Sequence, residues 1–184
     1  MGANIGIYSI PAATMCSHVY ACELDPLNIG TLKENIYSNK LTNKITIIPF
    51  PALSSNRIVK IYFRDLSLGD AFQSINKKNR IKYIRTKKEH WSYHLGFSLD
   101  CIFEKFNLKM PTKVKIDVDG NEKEVFDGAK KIILNAKEIY YKHSGFEDSE
   151  MIINKIRKSN FEIINKEIPP KMYFGSNILF SKKK

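Results

Sequence analysis

Apolar positions along this chain switch between two periods. Short β-branched or aromatic runs at Val19–Cys22, Lys44–Ile48, Val114–Ile116 and Ile139–Tyr141 have the length and composition of buried strands. Between them apolar residues recur at three- and four-residue spacing. Leu32 and Ile36 mark one face of a helix from Pro26 to Ser38, with Asn39 near its end. Leu99, Ile102, Phe103 and Phe106 lie at i, i+3, i+4 and i+7 and predict a short amphipathic helix that Ser98 would cap. Val125, Phe126, Ala129, Ile132 and Ile133 predict a further helix, and Met151, Ile152 and Ile156 another from about Ser149 to Ser159. A helix from Gly6 to about His18 is expected as well, strained or kinked one turn in by Pro11. Phe161–Ile164 and Asn177–Phe180 read as a closing antiparallel pair, joined by a loop with Pro169 and Pro170.

Strands that alternate with helices and finish in a hairpin predict one α/β domain over residues 1–184, with a mostly parallel sheet. No repeat and no internal linker interrupts it. Residues 54–97 are the least regular part. Within them Ile58–Phe63 alternates like a strand of a small antiparallel ribbon. Asn76–His90 carries Lys77, Lys78, Arg80, Lys82, Arg85, Lys87 and Lys88 around Tyr83. That run reads either as a solvated insertion or as a groove or lid for an anionic substrate. Trp91 and Tyr93 just beyond it would stack on a sugar or base, or simply pack on the domain.

Two segments carry candidate chemistry. Gly2-Ala3-Asn4-Ile5-Gly6 is a glycine-rich turn of the kind that lets a backbone approach a nucleotide-like ligand. About 20 residues further on, the strand at Val19–Cys22 ends in Glu23, an acid placed to accept hydrogen bonds from both hydroxyls of a ribose. Asp25 before Pro26 reads as a helix cap. Pro51, Ala52 and Leu53 follow the next strand, where a ligand crossing strand ends would be touched. The second segment is Val114-Lys115-Ile116-Asp117-Val118-Asp119-Gly120-Asn121-Glu122, a strand that ends among acids and a glycine. Asp119 and Glu122 suit a turn and a helix N-terminus. Asp117 has no such structural reason to be there. The spacing does not continue into an EF-hand loop.

Charge then narrows the partners. Lys and Arg number 30 against 19 Asp and Glu, for a net +11. This points to anionic partners such as nucleic acid, phosphorylated glycans or a membrane surface, or else to a Lys-covered surface in an Ile-, Lys- and Asn-rich chain. Cys16, Cys22 and Cys101 form no metal-ligand spacing and suit a reducing cytoplasm. His90 and His94 lack an intervening acid of zinc-protease type, and no metal site is expected. No apolar run approaches the roughly 20 residues of a membrane span.

Taken together, Gly2–Ser9, Glu23–Asn28, Leu99-Asp100, Lys115–Glu122 and Gly128-Ala129 resemble the FkbM-type methyltransferases over nearly the whole chain. The resemblance implies the class I, Rossmann-like methyltransferase fold and S-adenosylmethionine as methyl donor. It also implies O-methylation of a hydroxyl on a sugar, polyketide, glycan or similar metabolite. It puts Gly2, Asn4 and Gly6 beside the methionine portion of the cofactor, Glu23 on the ribose, and Pro51, Ala52 and Leu53 along the adenine. Asp117 would face the cofactor's amino end or the acceptor hydroxyl. Asp117, Glu122 and His143 are the candidates for taking up the acceptor's proton.

Three departures from the family pattern stand out. The strand before the glycine turn, central in that fold, and the acid usually ending it are absent, with Met1 in the acid's place. An N-terminally truncated chain is therefore expected. Tyr141-Lys142-His143 stands where the family tends to place an acid, and the basic insertion is extra. Two further readings are carried: a non-catalytic nucleic-acid or polyanion-binding module, and a methyltransferase acting on RNA.

Overall fold

The structure, a computed structural model, describes residues 1–64, 67, 69–71, 73–75, 90–143, 148–167 and 176–183. The basic run at 77–88 and the Pro169-Pro170 loop lie outside the described residues. The chain divides into two compact units, one of Met1–Ala52 with Arg57–Gly96 and one of Leu53–Asn56 with Phe97–Lys184.

The first unit opens with helix α1 (Ser9–Met15), followed by strand β1 (Val19–Cys22), helix α2 (Pro26–Ser38) and strand β2 (Ile45–Ile48). The expected helix start at Gly6 moves to Ser9. Pro11 then falls in the first turn, where its missing N–H has no partner to lose within Ser9–Met15. The bounds of α2 match the sequence reading, with Asp25 Oδ1 accepting from Leu27 N at 2.9 Å and Pro26 in the first turn. Strands β1 and β2 pair in parallel, Val19 opposite Ile45 through Cys22 opposite Ile48. Ala13, Ala21, Leu32, Ile36, Leu41 and Ile45 form the core beneath them.

The same unit carries an antiparallel ribbon of β3 (Arg57–Phe63) and β4 (His90–Gly96), paired from Arg57 opposite Gly96 to Phe63 opposite His90. The alternation at Ile58–Phe63 was legible because one ribbon face is buried and the other is not.

The second unit contains α3 (Leu99–Lys105), β5 (Lys113–Ile116), α4 (Glu122–Asp127), α5 (Lys130–Asn135), β6 (Glu138–His143), α6 (Asp148–Lys158), β7 (Phe161–Glu167) and β8 (Ser176–Lys182). Its four strands run β5-β6-β8-β7, with β5 parallel to β6 and the other pairings antiparallel. The closing hairpin is therefore present. The strands of the described residues form three sheets rather than one, and only β1·β2 and β5·β6 are parallel neighbours.

The single helix expected to carry Val125 through Ile133 is broken in two. A Cβ on Gly128 would lie 1.8 Å from the Leu53 carbonyl oxygen. The Gly128 carbonyl, instead of continuing a helix, accepts from Asp100 N at 2.9 Å and Ser98 Oγ at 2.9 Å. The chain turns there so that backbone can pass against backbone. Val125, Phe126, Ile132 and Ile133 still reach the core on either side of the break.

Candidate functional site

In the first unit the glycine turn is anchored to the end of β1, where Ala3 N donates to Cys22 O at 2.8 Å. Gly2, Asn4 and Gly6 all hold positive φ, at 75°, 51° and 101°. At Gly6 the requirement is doubled, because a Cβ would meet Leu32 Cδ1 at 2.8 Å. Its small size therefore serves the packing of the turn on α2.

Glu23 is the centre of this turn. It is 6% exposed, and its carboxylate accepts three backbone N–H groups: Asn4 N to Oε2 at 2.7 Å, and Leu24 N and Asp25 N to Oε1 at 3.0 Å each. A carboxylate has about four acceptor positions, so Oε2 retains one. Burial pushes the Glu23 carboxyl above the ordinary glutamate value of 4.5, although the three amides favour the ionised form. The sequence placed Glu23 at a strand end. It did not show that the glycine turn closes over it through Asn4.

A second tier of polar groups fixes this arrangement. The Asn4 amide donates to Gly69 O at 3.2 Å and Asp70 O at 3.1 Å, while its Oδ1 accepts from Ile5 N at 2.8 Å. Asn28, fully buried, donates to Asp70 O at 3.0 Å and accepts from Gly69 N at 2.8 Å. Gln73 Nε2 donates to Asp70 O at 3.0 Å, and Arg64 pairs with the Asp70 carboxylate through Nε at 2.8 Å and through Nη2. Sequence reasoning had Asn28 only as the end of the Glu23–Asn28 motif, with no role, and missed Asp70 and Gln73. Their partners lie 41 to 66 residues away for Asn28 and Asn4, and the only local signal was an Asn among the inward positions of α2.

Pro51 is buried and Ala52 half-buried, both in the first unit. Leu53 belongs to the second, 1% exposed, with its N–H given to Phe97 O at 2.8 Å.

In the second unit Asp117 follows β5 directly and sits in a cluster of opposite charges. Lys115 Nζ lies 2.6 Å from Oδ2 and Lys142 Nζ 3.0 Å from Oδ1, and Lys142 also reaches Asp119 at 3.6 Å. Burial would raise the Asp117 carboxyl, but Lys115 and then Lys142 outweigh it and hold the group below the ordinary 3.8. Burial lowers the Lys115 ammonium. Burial also acts to lower Lys142, but Asp119 and Asp117 prevail and raise it. The departure noted at Lys142 thus supplies a counter-ion to the acids across the parallel pair. Glu122, at the first position of α4, is 1% exposed. His143 ends β6, with Nε2 3.4 Å from the Glu150 carboxylate. Among the described residues no group of three or more His, Cys, Asp or Glu has metal-holding geometry, and no helix is long and apolar enough to cross a membrane.

The chain is α/β, and the solved structures it resembles have Rossmann-like folds. The crystal structure of methyltransferase FkbM from Methylobacillus flagellatus KT superposes with a TM-score of 0.67 at 16% identity, covering 98% of this chain and 41% of that one. This chain thus spans about two fifths of that protein's length. Precorrin-6y C5,15-methyltransferase from Geobacter metallireducens GS-15 matches with a TM-score of 0.54 at 12% identity, over 100% of this chain and 77% of that one. An rRNA methylase from Streptococcus thermophilus matches with a TM-score of 0.55 at 8% identity, over 99% and 83%. A comparison with the curated proteins finds no match. The family model of the methyltransferase FkbM domain matches residues 1–163. The chain belongs to the FkbM methyltransferase family.

Proposed function

We propose that the chain is part of an enzyme that O-methylates a hydroxyl of a sugar, glycan or similar metabolite, with S-adenosylmethionine as donor. The observation that carries the cofactor reading is the Glu23 carboxylate, buried at the end of β1 with one acceptor position left on Oε2. That position fits the O–H of one ribose hydroxyl rather than of both as expected from sequence, because three backbone amides occupy the other acceptor positions. The positive-φ turn of Gly2 and Asn4 lies against the same carboxylate, with Asn4 N donating to it. When bound, the cofactor supplies an activated methyl group on a sulfonium. The protein's own residues then need only orient an acceptor oxygen and remove its proton.

In the second unit, Asp117 is suited to act as a fixed anion rather than as a base, because two lysines hold it ionised and lower its basicity. Glu122 is sealed in the interior. His143 is the better candidate for proton uptake, as an imidazole facing the Glu150 carboxylate.

Calorimetric titration of S-adenosylhomocysteine tests the cofactor reading. Saturable binding that is lost in Glu23→Ala supports it, and absence of binding to folded protein refutes it. In a methyl-transfer assay on hydroxylated sugars, His143→Gln should reduce kcat by about 10²–10⁴-fold with unchanged S-adenosylhomocysteine affinity. An unaffected kcat would remove His143 from the role.

A further inference from the structure

The β3–β4 ribbon has an unusual outer face. Its register sets Ile58 opposite Leu95, Lys60 opposite Tyr93 and Tyr62 opposite Trp91. All six share one face by strand alternation. Ile58 is 66% exposed, Tyr93 66%, Leu95 62% and Trp91 47%. The opposite face carries buried Ile61 and Phe63, together with His94, whose imidazole is lowered by burial while the Asp25 carboxylate acts the other way. The outer face is therefore turned away from the side that looks toward Asp25. An exposed apolar and aromatic patch of this kind is commonly functional.

The chemistry of the face selects the occupant. Lys60 is its one charged group, with Nζ 3.7 Å from the centroid of the Trp91 ring and 5.3 Å from that of Tyr62. No described carboxylate pairs with Lys60, and the chain as a whole carries +11. A second copy docking with its two-fold axis through the centre of this face would bring the two Lys60 ammonium groups together on a face without acids. Trp91 and Tyr93 stand edge to face, 77° apart with centroids at 5.7 Å. Successive bases of a single strand stack best on open, parallel ring faces, whereas here one Trp91 face is covered by the ammonium. An L-shaped corner of two rings beside a cation suits a pyranose, whose C–H face packs on a ring while an acidic substituent reaches Lys60.

The geometry points to the outer face of β3–β4 as a docking surface for an acidic carbohydrate chain. This goes beyond the proposed reaction and does not depend on methyl transfer.

The chain has one tryptophan, so intrinsic tryptophan emission reports Trp91 alone. Oligogalacturonate titrated into the full chain should change that emission saturably, with an affinity that falls as salt rises. Tyr93→Ala and Lys60→Gln should each weaken binding at least tenfold, with unchanged melting temperature and unchanged S-adenosylhomocysteine affinity. The inference is overturned if oligogalacturonate does not bind, or if both variants bind as the parent does. It is overturned equally if a single-stranded oligonucleotide of the same charge, or vesicles of anionic lipid, bind this face more tightly. Failure of S-adenosylhomocysteine to bind would count against the proposed reaction only.

Discussion

Glu23 shows how surroundings set the ionisation of a single side chain. Three backbone amides orient the carboxylate, yet burial still prevails and raises it above 4.5. On acidification it therefore takes up a proton earlier than a free glutamate, and the acceptor-only form that suits a ribose hydroxyl is lost. S-adenosylhomocysteine affinity, followed by calorimetry, should fall from a pH above the ordinary glutamate range, and Glu23→Gln should be weak and flat with pH. Asp117 has the opposite sign. Its carboxyl is held below 3.8, so its stabilising contribution is present above 3.8 and lost as pH falls through its lower folded value. Asp117→Asn leaves Lys115 and Lys142 facing each other without their shared counter-ion. It should cost about 1–3 kcal/mol in denaturant unfolding near neutral pH, and the cost should shrink toward acid. If Asp117 were the base, kcat would fall far more than stability.

At the scale of elements, two glycines, one inside a helix and one at a helix end, make opposite predictions. Gly30 lies inside α2, and a Cβ there would meet nothing within 4 Å. Gly30→Ala should stabilise by about 0.5–1 kcal/mol through backbone entropy and helix propensity, raising the melting temperature by a few degrees. Gly128→Ala places a Cβ against the Leu53 carbonyl and should cost at least about 1–3 kcal/mol. Helix α2 was readable from sequence to the residue because Asp25, Pro26, Leu32 and Ile36 encode its start and its buried face locally. The break at Gly128 was not, since it arises from a backbone 75 residues earlier in the chain.

For the whole molecule, the cofactor reading makes a prediction independent of turnover. A ligand that binds only the folded state stabilises it by about 2.7 kcal/mol at a hundredfold excess over Kd. For a chain of this size that corresponds to a rise of roughly 5–10 °C in melting temperature. S-adenosylhomocysteine should produce such a rise in differential scanning fluorimetry, and Glu23→Ala should abolish it. A rise of equal size in the variant would mean that binding does not involve Glu23.

The sequence alone determined the α/β class, the helix caps at Asp25 and Ser98, most strand positions and the family, because each is written in neighbouring residues or short spaced motifs. Glu23 and Asp117 stood out the same way, as acids directly after apolar strands. Only the tertiary structure decided what those acids pair with. Closure of the Asn4 turn over Glu23, the Asn28–Asp70 network that holds it, and the two lysines that neutralise Asp117 all join groups distant in sequence or on separate strands. So does the aromatic corner around Lys60, which exists only because β3 and β4 pair in one register. Hydrogen bonds and ion pairs of this kind depend on distances of about 3 Å, which periodicity along a chain does not specify.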